Sequence, residues 1–343
     1  MVSYLSIIFM AITAVVSIGL PIVLFLLWRK RHGLKLVPAL VGAAAFVVFA
    51  LVLERLLHML VLRPGAGGSY ALLEYSPPLF ILYGAFAAGV FEETGRFIAL
   101  SFLKKKYSGV GTGLAYGIGH GGIEAILIAG LSMISSIVMS VMINSGNVAP
   151  LGDSPVVAAQ IEALIGMSPF TFLLAGLERI TAITLHISLS VLVWRAVTAK
   201  GKMWYYPLAI LLHAMADISA AMYQVGIIIT NVYAVEGIIL VFTVLVAVAV
   251  YLMVKKSKGE SGNESISVNV SESENVSASE CICESEGDGE DEVERECESE
   301  SENISESEVC SVGEVEGECE EDCEGDSDVE LNTDAGTAST DYH

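Results

Sequence analysis

The chain has 343 residues, of which 53% are hydrophobic and 17% charged, and its formal net charge is −22. The charge is unevenly distributed: residues 1–259 hold 17 basic and 10 acidic side chains, whereas residues 260–343 hold 30 acidic side chains and one base, Arg295. This division excludes a single soluble domain, because the acidic part is too polar to share a core with the apolar part. We predict a transmembrane domain at residues 1–258 and a disordered acidic tail at residues 259–343.

Seven apolar segments follow one another in the first part, each near or above the ~20 residues that a helix needs to cross a bilayer. They lie at residues 4–28, 36–62, 79–103, 110–143, 170–197, 207–230 and 233–254. The predicted fold class is all-α, a polytopic membrane helix bundle of about seven transmembrane helices in contact with lipid. The fourth segment is too long for one straight crossing, so we expect it to tilt, break or continue beyond the bilayer.

Basic residues follow every second segment. They are Arg29, Lys30, Arg31 and Lys35, then Lys104, Lys105 and Lys106, then Arg195, Lys200 and Lys202, and finally Lys255, Lys256 and Lys258. The alternate connections carry almost no basic residues, with Arg63 as the exception. By the positive-inside rule, we predict a multi-pass protein of the cell membrane with its N-terminus outside and its tail in the cytoplasm.

The tail repeats Ser-Glu units and contains all six cysteines of the chain, Cys281, Cys283, Cys297, Cys310, Cys319 and Cys323. Disorder is predicted because such a segment cannot bury enough apolar area to offset the entropy lost on ordering. The cysteine spacing is not that of paired C-x-x-C zinc ligands, which favours free thiols. We interpret the tail as a solvating extension or as a docking site for basic partners or cations, and predict no nucleic-acid partner.

Ionisable side chains lie inside the apolar segments, where each costs roughly 2.5–3.5 kcal/mol on insertion scales and usually serves a function. The third to sixth segments contain Glu92, Glu93 and Arg96, then His120 and Glu124, then Glu178, Arg179 and His186, then His213 and Asp217. A further cluster in the second segment, Glu54, Arg55 and His58, is interpreted as structural, and Glu236 as interfacial.

Helical spacing and depth indicate that these groups meet. Arg96 can reach either Glu92 or Glu93, because residues three and four apart are neighbours on a helix. Counted from the predicted helix ends, Glu92, His120, His186 and His213 fall within roughly 8 Å of one depth at ~1.5 Å per residue. We therefore expect one polar cavity enclosed by the third to sixth helices.

A carboxylate beside an imidazole, shielded from lipid, can activate water, and a second imidazole can donate to an oxyanion. The same side chains can also ligate Zn²⁺, which usually takes three protein ligands in a catalytic site. The sequence contains no H-E-x-x-H motif of the metalloproteases. Two alternatives stay open: a proton- or ion-coupled transporter that uses the same buried residues, and a non-catalytic membrane scaffold.

Three motifs together resemble a known family: Glu92-Glu93-x-x-Arg96, Tyr116 four residues before His120, and His213-x-x-x-Asp217. They are similar to the signature of the intramembrane proteases related to the CAAX-processing and bacteriocin-processing (CPBP) family. The YhfC branch is the most similar, with the PrsW-type proteases as more distant relatives. The resemblance implies hydrolysis of membrane-associated peptide or protein substrates within the bilayer.

Carried over by position, the resemblance implies that Glu92 is the general base and His120 its partner on the water. It implies that Glu93 and Arg96 hold the base, and that His213 and Asp217 bind the oxyanion. The chain departs from the family pattern in three places. The arginine usually stands one residue later, the last motif more often ends in Asn, and His186 and Glu124 are additional candidate residues. A zinc site drawn from His120, Glu124, His186 and His213 therefore stays open beside the metal-free glutamate mechanism.

Overall fold

The computed structural model describes residues 1–63, 70–152 and 154–271, with side chains described as far as residue 256. Within these residues the chain forms seven long helices. They are α1 (Tyr4–His32), α2 (Leu36–Leu62), α3 (Pro77–Leu103), α4 (Val110–Ser145), α5 (Pro169–Thr198), α6 (Tyr205–Val225) and α7 (Val232–Ser271). Two short α-helices, Ala71–Tyr75 and Pro155–Gly166, and one 3-10 turn, Ala149–Leu151, lie in the described connections. The predicted all-α membrane bundle is confirmed.

Six of the long helices in the described part of the chain are long and apolar enough to cross a membrane, and α3 is the one outside this set. The ionisable residues Glu92, Glu93 and Arg96 lower the mean hydropathy of α3. Its 27 residues nevertheless correspond to about 40 Å of helix, and it packs against both α2 and α6. The predicted seventh crossing therefore depends on the length and the neighbours of α3 rather than on its apolarity.

Two of the helices contain a π-helical segment. In α2 it covers Val47–Glu54, and in α4 it covers Ala125–Gly130, directly after Glu124. A π turn changes the direction of the side chains that follow it, and such turns are frequent at functional sites. The over-long fourth segment of the sequence therefore continues as a single helical stretch with a local change of helical period.

Glycines let α4 approach its neighbours closely. A Cβ atom on Gly119 would lie 1.9 Å from the carbonyl oxygen of Ala39 in α2, and one on Gly117 would lie 2.6 Å from Cα of Ile187 in α5. Neither position has room for a side chain. The glycines of α4 therefore let it pack closely against α2 and α5 next to His120, as small residues do in membrane bundles.

The basic loops lie at one end of the bundle, called here the basic end. Lys104 Nζ donates a hydrogen bond of 2.7 Å to the carbonyl of Val197, which joins the end of α3 to the end of α5. The turn between α1 and α2 and the turn between α3 and α4 line one cavity of about 330 Å³. At the opposite end, called the far end, the amide of Val2 donates 2.8 Å to Asn144 Oδ1.

A dense apolar core lies between the basic end and the middle of the bundle. Most of its buried members come from α3, α5, α6 and α7, with Ala45 of α2 and Tyr116 of α4, and the fully buried ones include Leu100, Leu189 and Val193. In α5, nearly every side chain from Leu185 to Val197 is buried. Apolar side chains therefore fill most of the space between the polar centre and the basic end.

Helix α7 continues past the predicted domain boundary at residue 258 and ends at Ser271. Extending an existing helix is easier than starting one, so a transmembrane helix can continue into a polar sequence. The rest of the predicted tail, with all six cysteines, lies outside the described residues. Its disorder and its binding of basic partners or cations therefore stay predictions.

Candidate active site

The ionisable side chains of α3, α4, α5 and α6 meet in the middle of the bundle. Six of them are buried, each with no more than 8% of its surface exposed: Glu92, Glu93, Arg96, His120, His186 and His213. They come from four separate helices, so only the folded bundle brings them together. The structure thus forms the polar centre that the common depth of these residues predicted.

Glu92 stands at the middle of three imidazole rings. Its Oε2 lies 2.9 Å from His120 Nε2, 3.9 Å from His213 Nε2 and 4.0 Å from His186 Nδ1. The rings of His120 and His186 are tilted against each other with centroids 4.9 Å apart. One carboxylate oxygen therefore faces a histidine from each of α4, α5 and α6.

The ring of His120 is held by aromatic neighbours. Tyr116, one turn earlier in α4, stacks on it at 5.9 Å, and Phe46 of α2 meets it edge-on at 5.3 Å. A Cβ on Gly42 would lie 2.2 Å from the carbonyl oxygen of Tyr116. The close approach of α2 and α4 thus fixes the direction in which His120 points.

Arg96 pairs with Glu93, and not with Glu92, of the two carboxylates within its reach. Its Nη2 also lies 3.0 Å from His186 Nδ1, while His213 Nδ1 lies 2.7 Å from Glu93 Oε1. Glu93 and Arg96 therefore contact the histidines of α5 and α6. The family resemblance implied that they hold the glutamate base; in the structure Arg96 contacts His186 and Glu93 contacts His213.

A second charged pair supports His186 from the other side of its ring. Glu124 Oε2 lies 2.6 Å from His186 Nε2, and Glu124 Oε1 accepts a 2.8 Å hydrogen bond from Arg179 Nη1. Arg179 also pairs with Glu178, its neighbour in α5. Since a carboxylate on one ring nitrogen leaves the other nitrogen available, Glu124 is placed to orient His186.

Asp217 differs from the other acidic groups of the centre. Its Oδ2 lies 3.5 Å from His213 Nε2, on the same face of α6, but 40% of its side chain is exposed. The side chains of Glu92 and Glu124 are 10% and 14% exposed. The predicted pairing of His213 with Asp217 is present, and it lies at the edge of the centre.

Within the described part of the chain, Glu92, His120 and His186 form a group that can hold a metal ion, with one ligand atom from each residue and all three atoms within 4.8 Å of one another. Zinc lies about 2.0–2.2 Å from nitrogen and oxygen ligands, so the ligand atoms of a tetrahedral site are roughly 3.3–3.6 Å apart. Small side-chain movements would bring the three residues to that spacing.

Comparison with known proteins agrees with this chemistry. A family model described as YhfC intramembrane metalloprotease matches residues 16–240, which include every side chain of the centre. The chain belongs to this family. The uncharacterized membrane protein YhfC of Bacillus subtilis (strain 168) is 39% identical over 232 residues, which cover 66% of this chain and 89% of that protein. No solved structure matches the chain.

The YhfC family description implies a metal ion. The ligand types present in the centre suit such an ion, but one neighbouring side chain does not. Two imidazoles and one carboxylate are ligands that zinc accepts in catalytic sites. However, Arg96 Nη2 lies 3.0 Å from His186 Nδ1, the nitrogen that faces Glu92. A cation at that nitrogen requires the guanidinium of Arg96 to move away, and Glu93 already provides a partner for it.

A cavity of about 260 Å³ lies beside Glu92, between the parts of α2 and α4 that lead to the far end of the bundle. Its walls include Glu54, Arg55 and His58 of α2 and Glu124 of α4, and both π-helical segments contribute to it. Glu54 Oε1 lies 3.1 Å from His58 Nε2, whose ring also contacts the hydroxyl of Tyr83 at 2.9 Å. The cluster in α2 that was interpreted as structural therefore borders the space next to Glu92.

The metal group differs from the sequence prediction in its members. His120 and His186 belong to it, whereas Glu124 and His213 stand outside it and contact His186 and Glu93. Glu92, predicted as the base, is the third member. The sequence already predicts Glu92 at the same membrane depth as His120 and His186, which is enough to propose it as a third ligand.

Proposed function

We propose that this YhfC family member is a zinc-dependent intramembrane endopeptidase that cleaves membrane-associated peptides beside Glu92. The observation that supports it most is the meeting of Glu92, His120 and His186 ligand atoms within 4.8 Å in the middle of a membrane bundle. Such buried ionisable groups are costly in lipid and are retained where they serve a function.

Glu92, His120 and His186 would hold the ion, which when bound supplies a Lewis acid that activates water and polarises a carbonyl group. Glu124 holds Nε2 of His186, so that Nδ1 faces Glu92. Arg179 in turn holds Glu124. Ligand histidines commonly depend on a carboxylate of this kind for their orientation.

His213 and Asp217 would handle protons and negative charge. Glu93 holds Nδ1 of His213, so that Nε2 faces both Glu92 and Asp217. When the ring is protonated at both nitrogens, Nε2 can donate a hydrogen bond to the oxyanion of the tetrahedral intermediate or give its proton to the departing amine, and the proton lost by the attacking water restores it. Asp217, 3.5 Å from the same nitrogen, is placed to accept a proton from the attacking water.

The substrate would occupy the cavity between α2 and α4. This cavity touches Glu92, and its lining changes from charged side chains at Glu54 and Glu124 to apolar ones at Leu51 and Ile128. An apolar peptide with polar main-chain atoms suits such a lining. We infer that a membrane-embedded segment of the substrate enters from this side.

Metal analysis of the purified full-length protein tests the zinc centre. All six tail cysteines are changed to Ser first, because thiolates also bind zinc. Elemental mass spectrometry is expected to find about one zinc per chain, and Glu92→Gln or His186→Ala is expected to remove it. His58→Ala is the matched control, since His58 lies in a transmembrane helix beside the cavity but outside the metal group. Peptide cleavage by protein free of metal would favour the glutamate mechanism.

Proteolysis is tested by mixing the reconstituted protein with a membrane-protein fraction of its host cell and mapping new peptide termini by mass spectrometry. Termini that appear with the wild type and are absent with Glu92→Gln support the proposal. If no peptide is cleaved, and the same substitution abolishes ion-linked uptake into vesicles, the protein is a transporter instead.

A further inference from the structure

A second cavity, of about 240 Å³, opens at the far end of the bundle between α5, α6 and α7. It lies beside the first turns of α5 and α7 and the last turn of α6. Its lining contains five polar side chains, Thr171, Glu178, Tyr223, Gln224 and Glu236. Polar groups in transmembrane helices usually face the interior of the bundle or a water-filled cavity.

Charged side chains connect this cavity to the candidate active site. Glu178 lines the cavity and pairs with Arg179. Arg179 donates to Glu124, which lies 2.6 Å from His186. The cavity and the metal group are therefore joined by consecutive ion pairs without an intervening apolar side chain.

One face of α6 leads along the same route. His213, Asp217, Ala220 and Gln224 are spaced four, three and four residues apart, so they share a helix face. Ala220 and Gln224 line the cavity, whereas His213 belongs to the active site. Asp217 stands between them with 40% of its side chain exposed. An acidic side chain this open inside a membrane bundle needs water beside it.

The other approaches to the site are closed or already assigned. Toward the basic end, the apolar core around Leu100, Leu189 and Val193 is fully buried. The cavity between α2 and α4 would be filled by a bound substrate. Hydrolysis consumes one water molecule for each peptide bond, so a route that the substrate does not occupy would let water reach the site during the reaction.

We propose that the cavity between α5, α6 and α7 is the mouth of a water channel that supplies the active site from the far end of the bundle. Water passes along the face of α6 from Gln224 to Asp217 and beside Glu178 and Arg179 of α5. The purpose of the channel rests on the proposed hydrolytic function. Its existence can be tested without any substrate or metal.

The test is cysteine accessibility in the full-length protein, in sealed vesicles and with all six tail cysteines changed to Ser. The probe is a permanently charged trimethylammonium methanethiosulfonate, which reacts with thiolates in water. Ala220→Cys and Ala175→Cys report on the channel. Met215→Cys and Leu177→Cys are matched controls on the same two helices, because both positions are exposed but lie outside the cavity lining.

The channel positions are expected to react at least about tenfold faster than the controls, since apolar surroundings keep a thiol protonated. Labelling is expected only from the membrane face opposite to the one at which trypsin cleaves after Lys104–Lys106. A bulky Ala220→Trp substitution is expected to slow labelling of Ala175→Cys and to leave zinc content unchanged. Size-exclusion chromatography confirms that each variant is folded.

Equal rates at Ala220→Cys and Met215→Cys would overturn the proposal, and so would labelling from the trypsin-accessible face. Absence of zinc or of peptide cleavage with fast labelling at Ala220→Cys would contradict the proposed function and leave the channel in place. The two ideas can therefore fail separately.

Discussion

The two ends of the bundle are built from the same helices but differ in chemistry. Toward the basic end, α5 buries nearly every side chain from Leu185 to Val197 in an apolar core. Toward the far end, the same helix carries Thr171, Glu178 and Arg179, and two cavities on this side have ionisable side chains in their walls. Since lipid removes the hydrophobic force between helices, close packing holds the basic end together. The ionisable groups of the site and their partners lie in the middle of the bundle and toward the far end.

The largest expected effect, a loss of stability at the polar centre, comes from Arg96→Met. The substitution leaves Glu93 buried without its guanidinium partner, and breaking a buried ion pair costs about 3–5 kcal/mol. The folded fraction is expected to keep its zinc, because the guanidinium that must leave His186 Nδ1 before a cation can bind there is absent in this variant. Denaturant titration measures the stability. Arg55→Met, at an exposed arginine of α2, is the control and is expected to change stability little.

Leu189→Ala weakens the packing of the apolar core without changing the polar centre. Leu189 is fully buried, and replacing a buried Leu by Ala costs about 2–5 kcal/mol in soluble proteins, with the lower values expected in lipid. The stability should fall while zinc content stays unchanged, because no ligand depends on this side chain. A parallel loss of zinc would show that the two ends are not separable.

Glu124→Gln has a smaller and more selective effect. It removes the charge that holds His186 but keeps the shape of the side chain, and second-layer carboxylates typically contribute 10–100-fold to metal affinity, so we expect a loss of about that size. Titration with a competing zinc chelator measures it. Glu178→Gln is the matched control, since Glu178 also pairs with Arg179 but does not contact His186. An equal loss of affinity in both variants would contradict the role assigned to Glu124.

The smallest effect is expected from Asn144→Ala at the far end. Asn144 exchanges two hydrogen bonds with the backbone of Val2, of 2.8 and 2.9 Å. Loss of both in a partly exposed place costs about 1 kcal/mol. Hydrogen exchange should therefore increase at the start of α1, with zinc content unchanged. Unaltered exchange would show that other contacts hold this end.

Depth along each helix was predictable from the sequence, because hydropathy locates the helix ends and the rise per residue is constant. That is why Glu92, His120, His186 and His213 were expected together. The rotation of each helix about its axis depends on tertiary packing. This rotation determines that Arg96 pairs with Glu93 and that Glu124 contacts Nε2 of His186.

The π-helical segments were also beyond sequence reasoning. They change the helical period within Val47–Glu54 and Ala125–Gly130, so side chains assigned by a period of 3.6 residues point elsewhere. Glu54 was therefore not expected to line the same cavity as Glu92. The apolar core likewise depends on contacts between residues that are far apart in sequence, such as Ala45, Leu100 and Leu189.

X-ray absorption spectroscopy of the zinc-loaded, full-length protein tests the central claim most directly. The predicted result is zinc bound by two imidazole nitrogens and carboxylate or water oxygens at about 2.0–2.2 Å, with the nitrogen signal reduced in His186→Ala. Zinc bound by sulfur at about 2.3 Å would place it on the tail cysteines. That result, or a protein that binds no zinc at all, would contradict a metal centre at Glu92, His120 and His186.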